Sequence, residues 1–550
     1  MDGIGLLALD GARNIGGSKL LLGYDDTQVM LDFGTSFHNY GRYYEEFLKP
    51  RSTGGLLDFV TMGVLPDARG LYREDLMHPE LELKGPEVGR IDALILSHPH
   101  ADHFGDMGFL KLDVPVVTST MSAAIVKAIA DTGKSDIGKD YIYPSMRQQN
   151  KSGDAVIIGS LTKKEAQGAA KPGRDLVLND GNGGKDFLAF WNFTPSVAMA
   201  EDPKRCKPCV PGEVVKCPSS VKFASYPVDH SVRGACAHVF PTSNGNVIYT
   251  GDLRMHGKGG HMTEEFVSAA KSPRPYALII EGTRVGRASD ASYDEERPPT
   301  EQEVHEHVRE KMSGMEGEFV IADFGPRNIE RLETFLDVAE ENHRKMVVTV
   351  KDAYLLYAMH AVDPKVPVPG DGMLVYDCPK GKESKYEEFI LRDQYPDAKV
   401  TADRVRRAPG DYVVSFSFFD LKHLVDMRPD GGHYMYSSCE AFSEEQEIDF
   451  VRMNAWLRKF GLEPHGLSFE EYTKGDGEKG IRPVFPKKGK ESLHASGHAT
   501  KEDLVRIVET LDPEVVIPVH TTAPGWFKET FGGQRKVVLP EEGSWVNVSE

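Results

Sequence analysis

Residues 97–103 read SHPHADH and follow directly on the apolar run DALIL. Three histidines and an aspartate fall within positions 98–103, in a chain with only 19 histidines among 550 residues. An apolar strand that ends in such a loop constrains the fold strongly. The strand must be buried, and the loop must emerge where imidazoles can converge. His98 and His100 are two apart, so on an extended segment they point to one side. Asp102 and His103 follow and can turn toward a second ion. Imidazole and carboxylate together suit Zn²⁺ or Mn²⁺.

The same design recurs along the chain. Asp32, Asp252, Glu281 and His520 each lie at or just past the end of an apolar run (TQVMLD, GNVIYTGD, YALIIEGT, EVVIPVH), and His230 in YPVDHS is comparably placed. Loops at strand ends are free to carry function. Taken singly, a histidine is more often solvated or satisfied within a core. HEH at 305–307 lies in a polar helix and reads as solvated surface.

The chain is too long for one core, so two or more domains are expected. Residues 1 to about 285 read as short strands separated by turns. LLGYDDTQVMLDFG forms a hairpin, and the stretch around 150–220 reads as an insertion with exposed loops. From Thr300, whose capping box with Glu303 opens TEQEVHEHVREKM, the pattern alternates strand and helix to about residue 445. NIERLETFLDVAEENHRK is a helix with Ile329, Leu332, Phe335, Leu336 and Ala339 on one face. Near the end, ATKEDLVRIVETLDP is a helix with Leu504, Ile507, Val508 and Leu511 together, capped by Thr500 and Asp503.

HPHADH matches the H-x-H-x-D-H signature of the metallo-β-lactamase fold, and other motifs of that fold follow in order. Asp32 in LDFG resembles the first, His230 in VDHS the third and Asp252 in YTGDLR the fourth. Glu281 in IIEGT, His498 in LHASGHA and His520 in IPVHTT resemble motifs A, B and C of the β-CASP nucleases. GARNIGGSKLLLGYDDTQVMLDFG and the SGHA…IPVH pair are most similar to the ribonuclease J branch. The resemblance spans residues 14 to 520. It implies an α/β fold, a metallo-β-lactamase αββα sandwich with an inserted α/β β-CASP cap. The expected boundaries are 1–295 for the first part of the sandwich, 296–445 for the cap and 446–550 for the second part.

The resemblance also implies a site. His98, His100 and His230 would bind one divalent ion, and Asp102, His103 and His520 another. Asp252 would bridge them, and Asp32 would orient ligands from behind. Zn²⁺ is the expected ion, with Mn²⁺ open. Two such ions generate a nucleophile from water at neutral pH and stabilise a charged phosphoryl transition state. Asp102, Asp252, His498 and Glu281 form the implied catalytic set, with His498 as general acid and Glu281 holding its ring charged. Gly497 and His498, with His494 and Ser496, would meet the substrate phosphate near a helix N-terminus.

The expected activity is hydrolysis of RNA phosphodiesters, as exonuclease, endonuclease or both, on single-stranded RNA. DNA hydrolysis by the same chemistry, a small ester, thioester or lactam substrate, and a non-catalytic RNA-binding scaffold stay open as alternatives. The net charge of −19 argues against a general nucleic-acid coat. A local basic path, with Arg404, Arg406, Arg407 and the stretch 474–490, is compatible with RNA and equally with solvated surface.

Cys206, Cys209 and Cys217 cluster with zinc-knuckle spacing in the first pair, and Cys236 or His238 are candidate completing ligands. Reduced thiols in a surface hairpin are the alternative. No apolar run approaches a membrane span, and the N-terminus does not read as a signal peptide, so a cytoplasmic protein without a membrane partner is expected. A homo-oligomer is open. Only 30 residues follow His520, short of the small C-terminal domain that assists dimer assembly in ribonuclease J.

Overall fold

The structure, a computed structural model, describes residues 3–45, 47–133, 136–161, 173–181, 183–194, 211–286, 299–438, 444–473, 479–486 and 492–549. Cys206 and Cys209 lie outside the described residues, as do 474–478 and 487–490 of the basic stretch. The chain divides into two compact units. The first comprises Met1–Met255, His261–Gly286 and His498–Glu550, and the second His256–Gly260 and Arg287–Gly497.

Two sheets make the frame of the first unit. One has seven strands in the order Trp545–Asn547, Ile4–Asp10, Lys19–Tyr24, Thr27–Leu31, Ala93–Ile95, Val116–Thr118, Leu176–Leu178. The other has six, in the order Lys536–Val537, Val515–Val519, Ala277–Glu281, Gly245–Tyr249, Cys236–Thr242, Ala224–Pro227. Lys19–Tyr24 and Thr27–Leu31 form the expected hairpin.

Side-chain alternation explains why these strands read as continuous apolar runs. In the second sheet Val247, Tyr249, Ala277, Ile279, Val515 and Ile517 join a core with Leu6, Leu22, Val29, Ile95 and Val117 of the first sheet. Their neighbours Ile248, Leu278, Ile280 and Val516 face the other way, onto Phe266, Leu504, Ile507, Val508, Leu511 and Phe527 of three helices. Both faces are therefore buried, and the period-2 polarity that marks a half-exposed strand disappears. Each fully buried Leu or Ile side chain contributes about 1.5–3 kcal/mol. The helix Lys501–Leu511 buries the four residues expected of it and carries the Thr500–Asp503 capping box.

A seven-stranded parallel sheet organises the second unit, in the order Lys399–Val400, Met373–Tyr376, Lys345–Val348, Tyr412–Ser415, Val320–Asp323, Gly432–Tyr436, Leu462–His465. The Thr300–Glu303 capping box opens its first helix, Glu301–Met312. The unit runs to Gly497, about fifty residues past the boundary expected at 445. The cause is the strand Leu462–His465, which pairs parallel to Gly432–Tyr436 and extends this sheet.

His307 also departs from expectation. It is half-buried, and its Nδ1 lies 2.9 Å from the Ser492 carbonyl, so it anchors the 492 segment within this unit.

A buried ion pair ties the second unit together. Arg331 is fully buried on the helix Ile329–Glu341 and donates to Glu301 Oε2 at 3.0 and 3.2 Å, and to the carbonyls of Ser437 (2.6 Å) and Leu493 (2.7 Å). Glu301→Ala leaves that guanidinium buried without its counter-charge. We expect a loss of about 3–5 kcal/mol, read as a lower denaturation midpoint of the second unit.

Candidate metal centre

All seven implied metal ligands, with Asp32, Glu281 and His498, belong to the first unit. His98 sits just past Ala93–Ile95, and Ala101–Phe104 is a single helical turn, so the sequence HPHADH goes from extended to helical within the loop. His100 caps that turn in an extended conformation. Its side chain therefore leaves in a different direction from those of Asp102 and His103.

Two lobes of the site result. In one, His98 Nε2 lies 3.1 Å from His100 Nδ1, which lies 3.0 Å from His230 Nε2. Ser97 Oγ gives its proton to Asp32 Oδ2 (2.7 Å), so at 3.0 Å it accepts one from His98 Nδ1. That leaves the His98 Nε2 lone pair aimed into the lobe. In the other, His103 Nε2, Asp102 and His520 converge. His520 Nε2 is 3.4 Å and His103 Nε2 3.8 Å from Asp102 Oδ2.

Asp252, on the loop after Gly245–Tyr249, reaches both lobes. Its Oδ2 is 3.1 Å from His103 Nε2 and 3.7 Å from His98 Nε2, and its Oδ1 is 3.7 Å from His520 Nδ1. His98, His100 and His230 form one group able to hold a metal, and Asp102, His103 and His520 form another. Asp252 joins groups with His98 and His103, and with Glu281 and His520.

Asp32 is fully buried and accepts four hydrogen bonds: from Ser97 N (2.7 Å), Ser97 Oγ (2.7 Å), His103 Nδ1 (2.8 Å) and the Tyr249 hydroxyl (2.6 Å). The bond to His103 fixes the tautomer that leaves Nε2 facing Asp252. Asp32 (φ 57°) and His520 (φ 51°) both hold left-handed backbone that non-glycine residues seldom adopt, a form of strain that clusters at functional sites.

The loop is braced from behind. Phe33 N donates to the His103 carbonyl (2.7 Å), Thr35 N to Ala101 (2.9 Å) and Ser18 N to Asp102 (3.1 Å). Gly34 lies so close that a Cβ there would stand 1.7 Å from the Asp102 carbonyl oxygen. Close approach to HPHADH is therefore what LDFG requires of its glycine.

Several partners were not anticipated: Ser97, Tyr249, Thr283, Arg254 and Gly16. Thr283 Oγ1 lies 2.8 Å from His520 Nδ1, and Gly16 N donates to His520 Nε2 at 2.8 Å. Ligation through that nitrogen would replace the Gly16 hydrogen bond. Buried Arg254 pairs with Asp229 (3.2 Å), and its backbone N–H donates to the Asp229 carbonyl (2.8 Å). The two loops that carry His230 and Asp252 are thereby joined. Adjacency to ligands in VDH and GDLR was the available signal.

Four carboxylates, Asp32, Asp102, Asp252 and Glu281, converge here. Among the described residues their ion-pair partners are imidazoles only. Burial would raise Asp252, but His520, His103 and His498 outweigh it and hold its carboxyl well below the usual range. Burial holds His98 well below an ordinary imidazole, with His103 and His230 adding to it. His103 goes the other way. Burial lowers it, and Asp252, Asp102 and Asp32 together lift it well above the ordinary value. His103 Nε2 is nonetheless buried without an aligned hydrogen-bond partner. A neutral His98, four converging carboxylates and this orphaned nitrogen fit divalent cations.

A pH effect follows from His103. Its raised value means that the metal-free site holds a proton at neutral pH, whereas a ligand imidazole must be neutral. Zn²⁺ loading should therefore release a proton at pH 7, and affinity should climb with pH until the metal-free His103 itself deprotonates. Calorimetric Zn²⁺ titrations in buffers of different ionisation enthalpy measure the release. Identical heats in all buffers would contradict it.

Glu281 Oε1 accepts from Leu253 N (2.9 Å), and Oε2 lies 3.1 Å from His498 Nδ1 and accepts from Thr283 N (3.3 Å). His498 Nδ1 is also 3.7 Å from Asp252 Oδ2. His494, Ser496 and Gly497 fall in the second unit, where the Ser496 carbonyl accepts from His256 Nε2 (2.9 Å). Arg404, Arg406 and Arg407 lie on the helix Ala402–Arg407 of that unit, and the latter two pair with Asp403. Cys236 and His238 join no metal-holding group among the described residues, and His238 pairs with Ser225 Oγ at 2.9 Å. No helix among the described residues is long and apolar enough to cross a membrane.

Residues 64–177 match the metallo-β-lactamase superfamily, and residues 488–524 match the Zn-dependent metallo-hydrolase RNA specificity domain. The chain is similar to ribonuclease J 2 of Streptococcus pyogenes serotype M3, with 19% identity over 94% of this chain and 70% of that protein. It is also similar to ribonuclease J of Mycoplasma pneumoniae, with 18% identity over 94% of this chain and 67% of that protein. A crystal structure of a protein of unknown function from Enterococcus faecalis V583 shares the fold, with a TM-score of 0.62, 19% identity and 99% coverage of both chains. The chain thus carries a metallo-β-lactamase match over residues 64–177 and an RNA specificity match over residues 488–524, and is a metal-dependent hydrolase.

Proposed function

We propose that the protein is a metal-dependent ribonuclease of the β-CASP type, hydrolysing phosphodiester bonds of single-stranded RNA with two divalent ions. The observation that carries this reading is Asp252, whose two oxygens reach both ligand lobes. The RNA specificity match at 488–524, which includes His498 and His520, supports RNA as the substrate, as do the ribonuclease J relatives.

His98, His100, His230 and Asp252 would hold one ion, and Asp102, His103, His520 and Asp252 the other, with Zn²⁺ the better fit and Mn²⁺ second. Such ions, when bound, lower the pKa of water and neutralise charge that develops on a phosphate. The chain's own groups do the rest. Asp32 holds His103 in its ligating tautomer. Glu281 binds His498 at Nδ1, so Nε2 is the nitrogen that delivers a proton to the leaving 3′-oxygen. Glu281 is held below the usual carboxylate range. Burial opposes this, but His498 and its hydrogen bond prevail, so Glu281 stays charged and holds the His498 ring in place.

The test is hydrolysis of 5′-labelled RNA and of matched DNA, each with a 5′-monophosphate or triphosphate, in Zn²⁺ or Mn²⁺. RNA is expected to be cut, and the product ladder separates exonuclease from endonuclease. Cleavage of DNA alone would move the substrate, not the chemistry. Intact nucleic acids together with hydrolysis of a small ester would overturn the reading.

A further inference from the structure

A second set of ligand-type side chains lies in the second unit. His433 is the second residue of the strand Gly432–Tyr436, and Glu463 is the second residue of Leu462–His465. The parallel register pairs His433 with Glu463 and Met435 with His465. His433 and His465 therefore project from adjacent strands. Their rings sit 5.1 Å apart, with His433 Nδ1 3.0 Å from His465 Nε2 and 4.0 Å from Glu463 Oε2.

A carboxylate holds the back of His433. Glu318, two residues before the neighbouring strand Val320–Asp323, places its Oε2 2.6 Å from His433 Nε2. The contact lies off the ring N–H axis but is short enough to make Nε2 the protonated nitrogen. Nδ1 then carries the lone pair toward His465. Carboxylate behind imidazole, with the other ring nitrogen facing a second imidazole and a carboxylate, is the arrangement that orients histidines onto Zn²⁺. Without a cation, two ring nitrogens 3.0 Å apart must share one proton.

We propose that His433, His465 and Glu463 form a second, independent divalent-cation site of the Zn²⁺ class, with Glu318 as the positioning residue for His433. These three side chains form a metal-holding group in the structure. Two imidazoles fixed by the sheet supply the rigid part. Glu463, exposed at the sheet edge, closes onto the cation, and His465 shifts its proton from Nε2 to Nδ1 by exchange with solvent. The inference is independent of what the main centre hydrolyses.

The experiment uses the full chain, stripped with chelator, reloaded with Zn²⁺ and passed through a desalting column before metal is counted. Wild type is expected to retain one more equivalent of Zn²⁺ than His465→Gln. Equal metal content in the two proteins would overturn the site. Glu318→Ala guards against a folding artefact, because that side chain is 54% exposed. It should weaken the last Zn²⁺ to bind by about 10–100-fold in a calorimetric titration, the usual cost of removing a ligand's orienting carboxylate. Unchanged affinity in Glu318→Ala would equally count against the proposal.

Discussion

His498→Ala should keep the full metal complement of the main centre and lose RNA hydrolysis by about 10²–10⁴-fold, the range for removal of a general acid. The geometry separates His498 from the ligands. His98, His100 and His230 close on one another at 3.0 and 3.1 Å, whereas His498 turns Nδ1 to Glu281 at 3.1 Å. His498 is also partly exposed, with 21% of its side chain accessible, while Asp252 and Glu281 beneath it are buried. An exposed imidazole backed by a buried carboxylate is placed to meet substrate. Its loss should appear in kcat, with KM changed less. Glu281→Gln should reproduce part of the defect, because the neutral amide gives up the charge-assisted contact that orients the His498 ring. Metal analysis alongside single-turnover cleavage checks both. Activity equal to wild type in His498→Ala would remove the acid role, and loss of metal in that variant would make His498 a ligand instead.

Much of this centre was legible because its residues terminate apolar strands. Ala277, Ile279, Leu278 and Ile280 are buried on alternate faces, so YALIIEGT announces a central strand and Glu281 stands at its end. Val515–Val519 and His520 repeat the pattern. The edge of the parallel sheet in the second unit was not legible in the same way. LEPH carries one buried apolar residue, a proline and two polar ones, and becomes a strand only through pairing with Gly432–Tyr436. The expected boundary at 445 therefore fell short of Gly497. Contacts between distant segments were equally invisible. Gly16 meets His520 and Tyr249 meets Asp32 across hundreds of residues, and no local pattern encodes either pairing. The Gly34 requirement is of this kind too: it depends on a carbonyl oxygen nearly seventy residues away.

Asp252→Asn is expected to have the larger effect, because it acts on both lobes at once. The amide keeps the shape of the carboxylate but removes the charge that faces His103, His98, His520 and His498. Two consequences follow. Two dications held as proposed would lose their common anionic ligand, so after dialysis the variant should hold at least one fewer metal than wild type, and hydrolysis should fall below the level of His498→Ala. The metal-free protein also loses a favourable term. Asp252 has a folded value well below that of the unfolded chain, so its contribution to stability is present above the unfolded value and is lost as pH falls through the folded one. At neutral pH the wild type keeps that contribution and the variant does not. Metal-free Asp252→Asn should thus unfold at a lower denaturant concentration than metal-free wild type at pH 7, and the gap should narrow on acidification. A variant with unchanged metal content would show that Asp252 does not bridge. A variant that lost metal but unfolded at the same midpoint would show that the carboxylate acts on the ions alone, without the charge pairing to His103 and His520 inferred for the empty site.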